Sequence, residues 1–284
     1  MVVVFIALFI PTPYTIQKPG PTFDTLEEVE VEGASFDMVE IEGAPTYPTD
    51  GRLDLTTISV SGPPTSSSFI LDVLYHAVQP YPAITPAELL YPPETTREEV
   101  RSQNAQAMAD SQSWAVAAAL EHRDIEYQQR LFALDFTEGS PAADILEPDD
   151  EILSVNGTDI TGHAQLVNTI QEANGEPVEM RIRRDGDEQT FTIPVTQGEE
   201  GTYQIGVYLD SEFEFPLDVE IHLEDVGGPS AGLIFALAVI DRMTEESVTE
   251  GRHIAGTGTI DPDGTVGPIG GIQQKVMAAA DEGA

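Results

Sequence analysis

Two lysines occur in the 284 residues, Lys18 and Lys275, and the second stands where it can do chemistry. It follows Gly270-Gly271-Ile272-Gln273-Gln274, downstream of a serine framed by glycine in Gly227-Gly228-Pro229-Ser230-Ala231-Gly232. An ammonium isolated among Ile272, Val276, Met277, Ala278 and Ala279 is poor surface decoration. Lys275 therefore reads as a general base and Ser230 as its nucleophile, a Ser/Lys dyad for peptide-bond cleavage. To accept a proton near neutral pH the lysine must drop from about 10.4 toward about 7 to 8, a differential of roughly 3 to 5 kcal/mol that burial against apolar neighbours can supply. Pro229 suits a first helical turn, so Ser230 falls at or beside a helix N-terminus, where N–H groups from Gly228 to Ser230 can hold a developing oxyanion. Glycines such as Gly228 and Gly232 let a substrate backbone approach closely. The competing reading of this motif is a strand-to-helix turn with an unreactive serine.

The elements that must position the pair follow from local pattern. Leu217 to Leu223 reads as a strand ending at Glu224-Asp225, and Leu233 to Met243 as an apolar helix behind Ser230. His253 to Ile260 is a strand of small residues, Asp261-Pro262-Asp263-Gly264 a tight turn, and Thr265 to Gly271 leads into the lysine helix. Serine and lysine thus sit on successive helices bracketing a hairpin. Upstream, Gly51 to Val60 alternates as a strand that stops at Gly62-Pro63-Pro64. Ser66 to Val78 reads as a helix with Phe69, Ile70, Val73 and Leu74 on one face. Thr95 to Leu120 is a longer helix opened by a capping box in Thr95-Thr96-Arg97-Glu98-Glu99, with Trp114 as a packing anchor.

Between these lies a self-contained order of pieces. Arg130 to Phe136 and Glu151 to Val155 are strands, with a turn at Gly139-Ser140-Pro141 before the second and Asn156-Gly157 after it. His163 to Ala173 is a helix with Leu166, Val167 and Ile170 on one face, closed by Asn174-Gly175. Val178 to Arg183 and Gln189 to Val195 are strands joined at Asp185-Gly186, and a further strand is expected from Tyr203 to Leu209.

Composition bounds the partners. Fifty acidic against twelve Lys+Arg residues give a formal net charge of −38, which repels nucleic acid. The scattered excess fits a solvated surface suited to high salt, where self-repulsion is screened; a melting temperature indifferent to molar salt would contradict this. With no cysteine there is no disulfide, thiolate or Cys-ligated zinc. His76, His122, His163, His222 and His253 show no paired ligand spacing, so no metal is expected, and no cofactor either. No Gly-x-x-x-x-Gly-Lys-Ser/Thr loop is present, so no ATP-driven unfolding resides in this chain. The apolar start, Met1 to Ile10, is about half the length needed to cross a bilayer and is read as the remnant of a transmembrane anchor, with an extended exit through Pro11, Pro13, Pro19 and Pro21. A buried core strand is the alternative for it.

Pro229 to Gly232 followed by an apolar helix, and Pro268-Ile269-Gly270-Gly271 with Lys275 four residues on, resemble the nucleophile and lysine motifs of the Lon-like serine peptidases, most closely their membrane-anchored, ATPase-free members that carry a PDZ domain. The resemblance makes Ser230 the nucleophile and Lys275 the base, and places on Thr257 the family threonine that orients the lysine amine. It gives no role to Gly227, where the family often has an acid. Gly139-Ser140-Pro141-Ala142-Ala143 with Asp149 to Gly157 resembles a bacterial PDZ domain. There Asp149 stands at a usual glycine, and a groove along the helix that His163 opens is implied for extended peptides or chain ends; the histidine itself reads as solvated.

The fold expected is α/β (α+β): a Lon-type proteolytic domain with an inserted or preceding PDZ domain and an anchor remnant. The divisions are 1–22 anchor and exit segment, 23–122 N-terminal strands and helices of the peptidase fold, 123–197 PDZ domain, and 198–284 proteolytic domain, expected to be C-terminally incomplete. The activity implied is ATP-independent cleavage of unfolded or membrane-associated proteins, with PDZ-assisted recognition, a single N-terminal tether, extracytoplasmic domains and assembly into a homo-oligomeric ring. Two alternatives stay open. One is a membrane-tethered PDZ adaptor with an inactive peptidase-like domain. The other is an α/β-hydrolase esterase on Gly228-x-Ser230-x-Gly232, for which Asp241 and His253 follow in the right order but too close behind the serine.

Overall fold

The computed structural model describes residues 10–31, 33–198, 201–223 and 226–284. Along the first part run strands β1 (Tyr14–Asp24), β2 (Val39–Glu42) and β3 (Arg52–Ser61), helix α1 (Ile70–Ala77), β4 (Ala83–Pro86) and the long α2 (Arg97–His122). The middle holds β5 (Gln128–Phe136), β6 (Glu151–Val155), α3 (His163–Glu172), β7 (Val178–Arg184), β8 (Asp187–Ile193) and β9 (Val207–Glu214). The last part holds β10 (Asp218–Ile221), α4 (Gly232–Arg242), β11 (His253–Gly256), β12 (Thr259–Ile260), β13 (Val266–Gly267) and α5 (Ile272–Glu282). These elements form two compact units: one from the residues up to Ile125 together with Leu217–Ala284, the other from Glu126–Pro216.

In the first unit a four-stranded sheet runs β11-β3-β1-β4. β1 and β3 pair antiparallel, and β11 joins β3 in parallel over Arg52 to Leu55. The segment read as an exit peptide is thus strand β1 inside the sheet; its prolines are tolerated because the register breaks between Pro19 and Thr22. Met1 to Phe9, the bulk of the expected anchor, lies outside the described residues, and among the described residues no helix is long and apolar enough to cross a membrane.

α2 begins where the capping box places it: Thr96 Oγ1 accepts from Glu99 N at 3.2 Å, and Glu99 Oε2 accepts from Thr96 N at 2.7 Å. Its second half, Ala115 to Leu120, is wholly buried and packs with α4. α5 lies on β1 and β3. α1 matches its forecast only in place: it buries none of its residues, and Leu74 is 55% exposed.

A buried polar knot anchors the β11 end of the sheet. Asp54, fully buried, accepts from Arg52 Nε at 2.9 Å and lies 2.9 Å from His253 Nε2. This pair removes His253 from any role beside Ser230. Asp241 is likewise spent, its Oδ1 accepting from Ser247 Oγ at 2.9 Å. The hydrolase arrangement of Ser230, Asp241 and His253 therefore does not form.

The second unit is an antiparallel sheet in the order β8-β7-β6-β5-β9, packed around Leu131, Ile152, Leu166, Ile170, Met180 and Ile193. β9 pairs with β5 from Val207↔Phe136 to Glu214↔Gln128, which carries this unit to Pro216, past the expected limit at 197. The strand expected from Tyr203 to Leu209 is accordingly split, with β9 beginning at Val207. Asp149 holds the left-handed turn (φ +70°) that a glycine would take. Its neighbour Asp150, fully buried, is clamped by Arg184 through Nε at 2.7 Å and Nη2 at 2.6 Å. Helix α3 turns Leu166 and Ile170 inward, but Val167 is exposed, so the apolar face is one residue narrower than its pattern suggests. His163 is exposed at its start.

Candidate active site

Ser230 sits in a short 3-10 turn, Pro229–Ala231, that runs directly into α4. The turn is entered at Gly228 with φ +95° and ψ 162°, a conformation open to glycine and strained for any L side chain. α2 grips the turn at consecutive points. Gly228 N donates to Asn104 O at 2.9 Å, and the buried Ser111 Oγ donates to Pro229 O at 3.0 Å. A Cβ on Gly227 would fall 2.8 Å from Asn104 Cβ, and one on Gly232 would fall 2.9 Å from Ser111 Oγ. Glycines before and after Ser230 thus let the nucleophile turn seat against a helix. Gly227 has a packing duty that the sequence reading did not give it, and Asn104 and Ser111 were missed altogether. Their one signal was spacing: they lie a near-integral number of turns apart on α2, and Ser111 stands in the apolar part of a helix where a hydroxyl needs a partner.

Lys275 reaches this turn from α5. Its Nζ lies 2.7 Å from Ser230 Oγ and 2.9 Å from Thr257 Oγ1. Thr257 Oγ1 in turn donates to Ser230 O at 2.9 Å. Three residues named from sequence, 45 and 18 positions from one another along the chain, therefore share one hydrogen-bonded triangle. The loop carrying Thr257 leaves the sheet to do this: Gly258 N donates to Ser230 O and Leu233 N to Gly258 O. For that reason the strand expected from His253 to Ile260 is broken after Gly256.

Lys275 is only 4% exposed, and burial pushes its pKa down from 10.5 to about 8. The expected cause of burial was the lysine's own helix, and that is corrected here. Ile272 and Val276 are 52% and 55% exposed, while Gln274, Lys275 and Ala278 form the inward stripe. The shielding comes from β1 and β3, on which α5 lies. Gly271, at φ +68°, lets the helix start descend on the sheet; a Cβ there would meet Ile58 Cγ2 at 2.8 Å.

The triangle opens into a cleft of about 820 Å³, lined by Phe23, the β3 stretch Leu55 to Val60, Met108, Gly227 and Pro268 to Gly271, among others. The donor set expected for an oxyanion is narrower than the span Gly228 to Ser230. Gly228 N is already committed to Asn104, and Pro229 has no N–H.

Comparison with known proteins matches part of each unit. Residues 206–284 match the Lon protease (S16) C-terminal proteolytic domain, and residues 135–184 match the PDZ domain. A Lon protease of Clostridioides difficile (strain 630) is 40% identical over 75 residues, 25% of this chain and 9% of that protein. A Lon protease of Phenylobacterium zucineum (strain HLK1) is 29% identical over 133 residues, 47% of this chain and 15% of the relative. The PDZ domain of the SdrC-like protein from Listeria monocytogenes aligns at 22% identity and a TM-score of 0.26, over 28% of this chain and 85% of that one. The fold is mixed α/β, and the two family-model matches give the chain a Lon-type proteolytic domain and a PDZ domain. The likeness to Lon proteases lies in these regions, and the chain spans about a tenth of the length of the curated relatives it matches.

Proposed function

We propose that this chain is an ATP-independent serine endopeptidase working through a Ser230/Lys275 dyad. The observation that carries the reading is a buried lysine amine 2.7 Å from the serine hydroxyl, in an open cleft. With Lys275 neutral, its Nζ takes the proton of Ser230 Oγ as that oxygen attacks a peptide carbonyl. Of the span Gly228 to Ser230, the N–H of Ser230 is the donor left to the oxyanion. Lys275 then returns the proton to the leaving amine, and water, deprotonated by the same amine, hydrolyses the acyl-enzyme. Thr257 touches the lysine and not the substrate, and acts by positioning.

The PDZ unit has the role of presenting extended segments or chain ends. Support comes from β9, the terminal strand of its sheet path. The residue Tyr203, just before β9, is held by Gln171 of α3 through bonds of 2.6 and 2.9 Å. A strand edge beside a helix is the ground plan of peptide capture by strand addition. Tethering through Met1 to Ile10 rests on the apolar composition of that run, and extracytoplasmic placement and ring assembly rest on the family resemblance. Flotation of the chain with and without the run, and light scattering in molar salt, test the tether and the ring.

The deciding experiment is nucleotide-free degradation of casein in high salt by the chain, by Ser230→Ala and by Lys275→Ala. Cleavage lost in both variants is expected. Cleavage surviving either substitution would end the dyad reading. A chain that captures peptides but neither cleaves nor takes up a serine-reactive phosphonate would be the adaptor.

A further inference from the structure

Two side-chain hydroxyls hold the serine turn, and they hold different peptide groups. Thr257 Oγ1 donates to Ser230 O at 2.9 Å, on the peptide that follows the nucleophile, whereas Ser111 Oγ donates to Pro229 O at 3.0 Å, on the peptide that precedes it. Only the second of these bears on the oxyanion donor. Pro229 O and Ser230 N belong to one trans peptide, which is planar and points its C=O and N–H in opposite directions. Fixing the oxygen therefore fixes the hydrogen.

The placement of Ser111 is specific. A helical serine can satisfy its hydroxyl on a carbonyl of its own preceding turn, yet this one reaches a residue 118 positions away. Gly232 makes the room, since a Cβ there would fall 2.9 Å from Ser111 Oγ. About two helical turns earlier on α2, Asn104 O accepts from Gly228 N at 2.9 Å. The peptide groups on either side of the Gly228–Pro229 bond are thus both pinned to one helix. Ser111 itself is buried, while Pro229 and Ser230 line the cleft together with Met108, one turn before Ser111 on α2.

We infer that Ser111 is a positioning residue for the proposed cleavage: by holding Pro229 O against α2, its hydroxyl aims the Ser230 N–H into the cleft, at the substrate carbonyl oxygen. The inference rests on the dyad reading and adds to it the group that sets the oxyanion donor. As Ser230 Oγ bonds to the carbonyl carbon and its proton passes to Lys275 Nζ, the carbonyl π pair moves onto oxygen. A donor already aimed at that oxygen stabilises the charge without reorganising. The bond from Ser111 also polarises the peptide, which strengthens its N–H as a donor. Ser111 touches neither the amine nor the reacting atoms, so its loss should leave the titration of the base alone. That separates it from Thr257, which bonds to Lys275 Nζ directly.

The test compares the full chain with Ser111→Ala, Ser111→Cys and Gln112→Ala on a fluorogenic peptide in molar salt, with inhibition by a peptidyl boronate, whose serine adduct is tetrahedral. Cysteine keeps the bulk of serine but donates weakly. Gln112 is the neighbour on α2 that bonds to Ile221 O at 3.4 Å instead of the serine turn. For both Ser111 variants kcat is expected to fall about 10- to 100-fold, less than for outright removal of an oxyanion donor, with KM within about twofold. Boronate affinity should fall by a similar factor, the pH profile should keep its apparent value of about 8, and Gln112→Ala should stay within about twofold of wild type. Wild-type kcat in either Ser111 variant, an equal loss in Gln112→Ala, or a loss that leaves boronate affinity unchanged would overturn this inference. Each of those results leaves the dyad standing as long as Lys275→Ala is inactive. A wild-type chain that cleaves nothing, or a Lys275→Ala variant that still cleaves, would remove the dyad reading and this inference with it.

Discussion

Replacing Lys275 by methionine should make the protein more stable at neutral pH while abolishing cleavage. The folded chain releases the Lys275 proton at about 8, and the ordinary lysine value is 10.5. At 1.36 kcal/mol per unit the depression is worth about 3 kcal/mol against the folded state, reduced to about 1 to 2 by water entering the open cleft. Against this stands the loss of the amine's bonds to Ser230 and Thr257. Both partners are hydroxyls that accept from the amine; Ser230 lines the open cleft, where water can donate in its place, and Thr257 keeps its bond to Ser230 O. A net gain of about 1 kcal/mol is therefore expected for Lys275→Met at pH 7. The sign of its pH dependence follows from the two values. Between about 8 and 10.5 the unfolded chain holds a proton that the folded chain has lost, so wild-type stability climbs with pH across that window. Below about 8 the penalty is fully present, and the advantage of the variant is constant. Urea titrations in molar salt from pH 6 to 10, followed by the fluorescence of Trp114 on α2 in the same unit, measure the gap. A variant less stable than wild type at pH 7, or a gap that does not close as pH rises, would refute a desolvated lysine.

Catalysis should carry the same signature: kcat/KM on a peptide is expected to rise with pH through an apparent value of about 8 and then level off, and a flat profile from pH 6 to 9 would exclude Lys275 as the base. Thr257→Val removes a partner of the amine and the donor to Ser230 O, and should lower kcat about 10- to 100-fold with KM nearly unchanged, while Thr257→Ser restores most of it. In the PDZ unit, Arg184→Ala strands the buried Asp150 carboxylate and should cost about 3 kcal/mol, seen as lost hydrogen-exchange protection in β6 and β7.

Local punctuation, and which residues would meet at the candidate site, were legible in the sequence; tertiary causes were not. Ser230, Lys275 and Thr257 could be named because each stands in a short motif, and α2 because Thr96 and Glu99 write its start in two residues. The source of Lys275 burial was misread because periodicity tells which side chains share a helix face, not which face meets the sheet. Ile272 and Val276 are apolar, yet they look outward. Parallel pairing of β11 with β3 joins residues about 200 positions apart and leaves no local trace. The break after Gly256 was hidden for a related reason. Thr257 and Gly258 suit a strand, and only their bonds to Ser230 pull them out of it. The extension of the second unit to Pro216 depends on β9 finding β5, again a pairing across distance.

The first unit is assembled from both sides of an insertion, with β3 closed by a strand that comes about 200 residues later. On a ribosome this order has a protective consequence. Ser230 emerges 45 residues ahead of Lys275, and the sheet it needs stays open at the β11 side until the final stretch is made. Such high contact order slows folding, since long loops must close before their contacts repay the entropy. It also means that the nascent polypeptide carries a nucleophile with no base. On the dyad reading, the growing chain cannot cleave itself before helix α5 settles on the sheet.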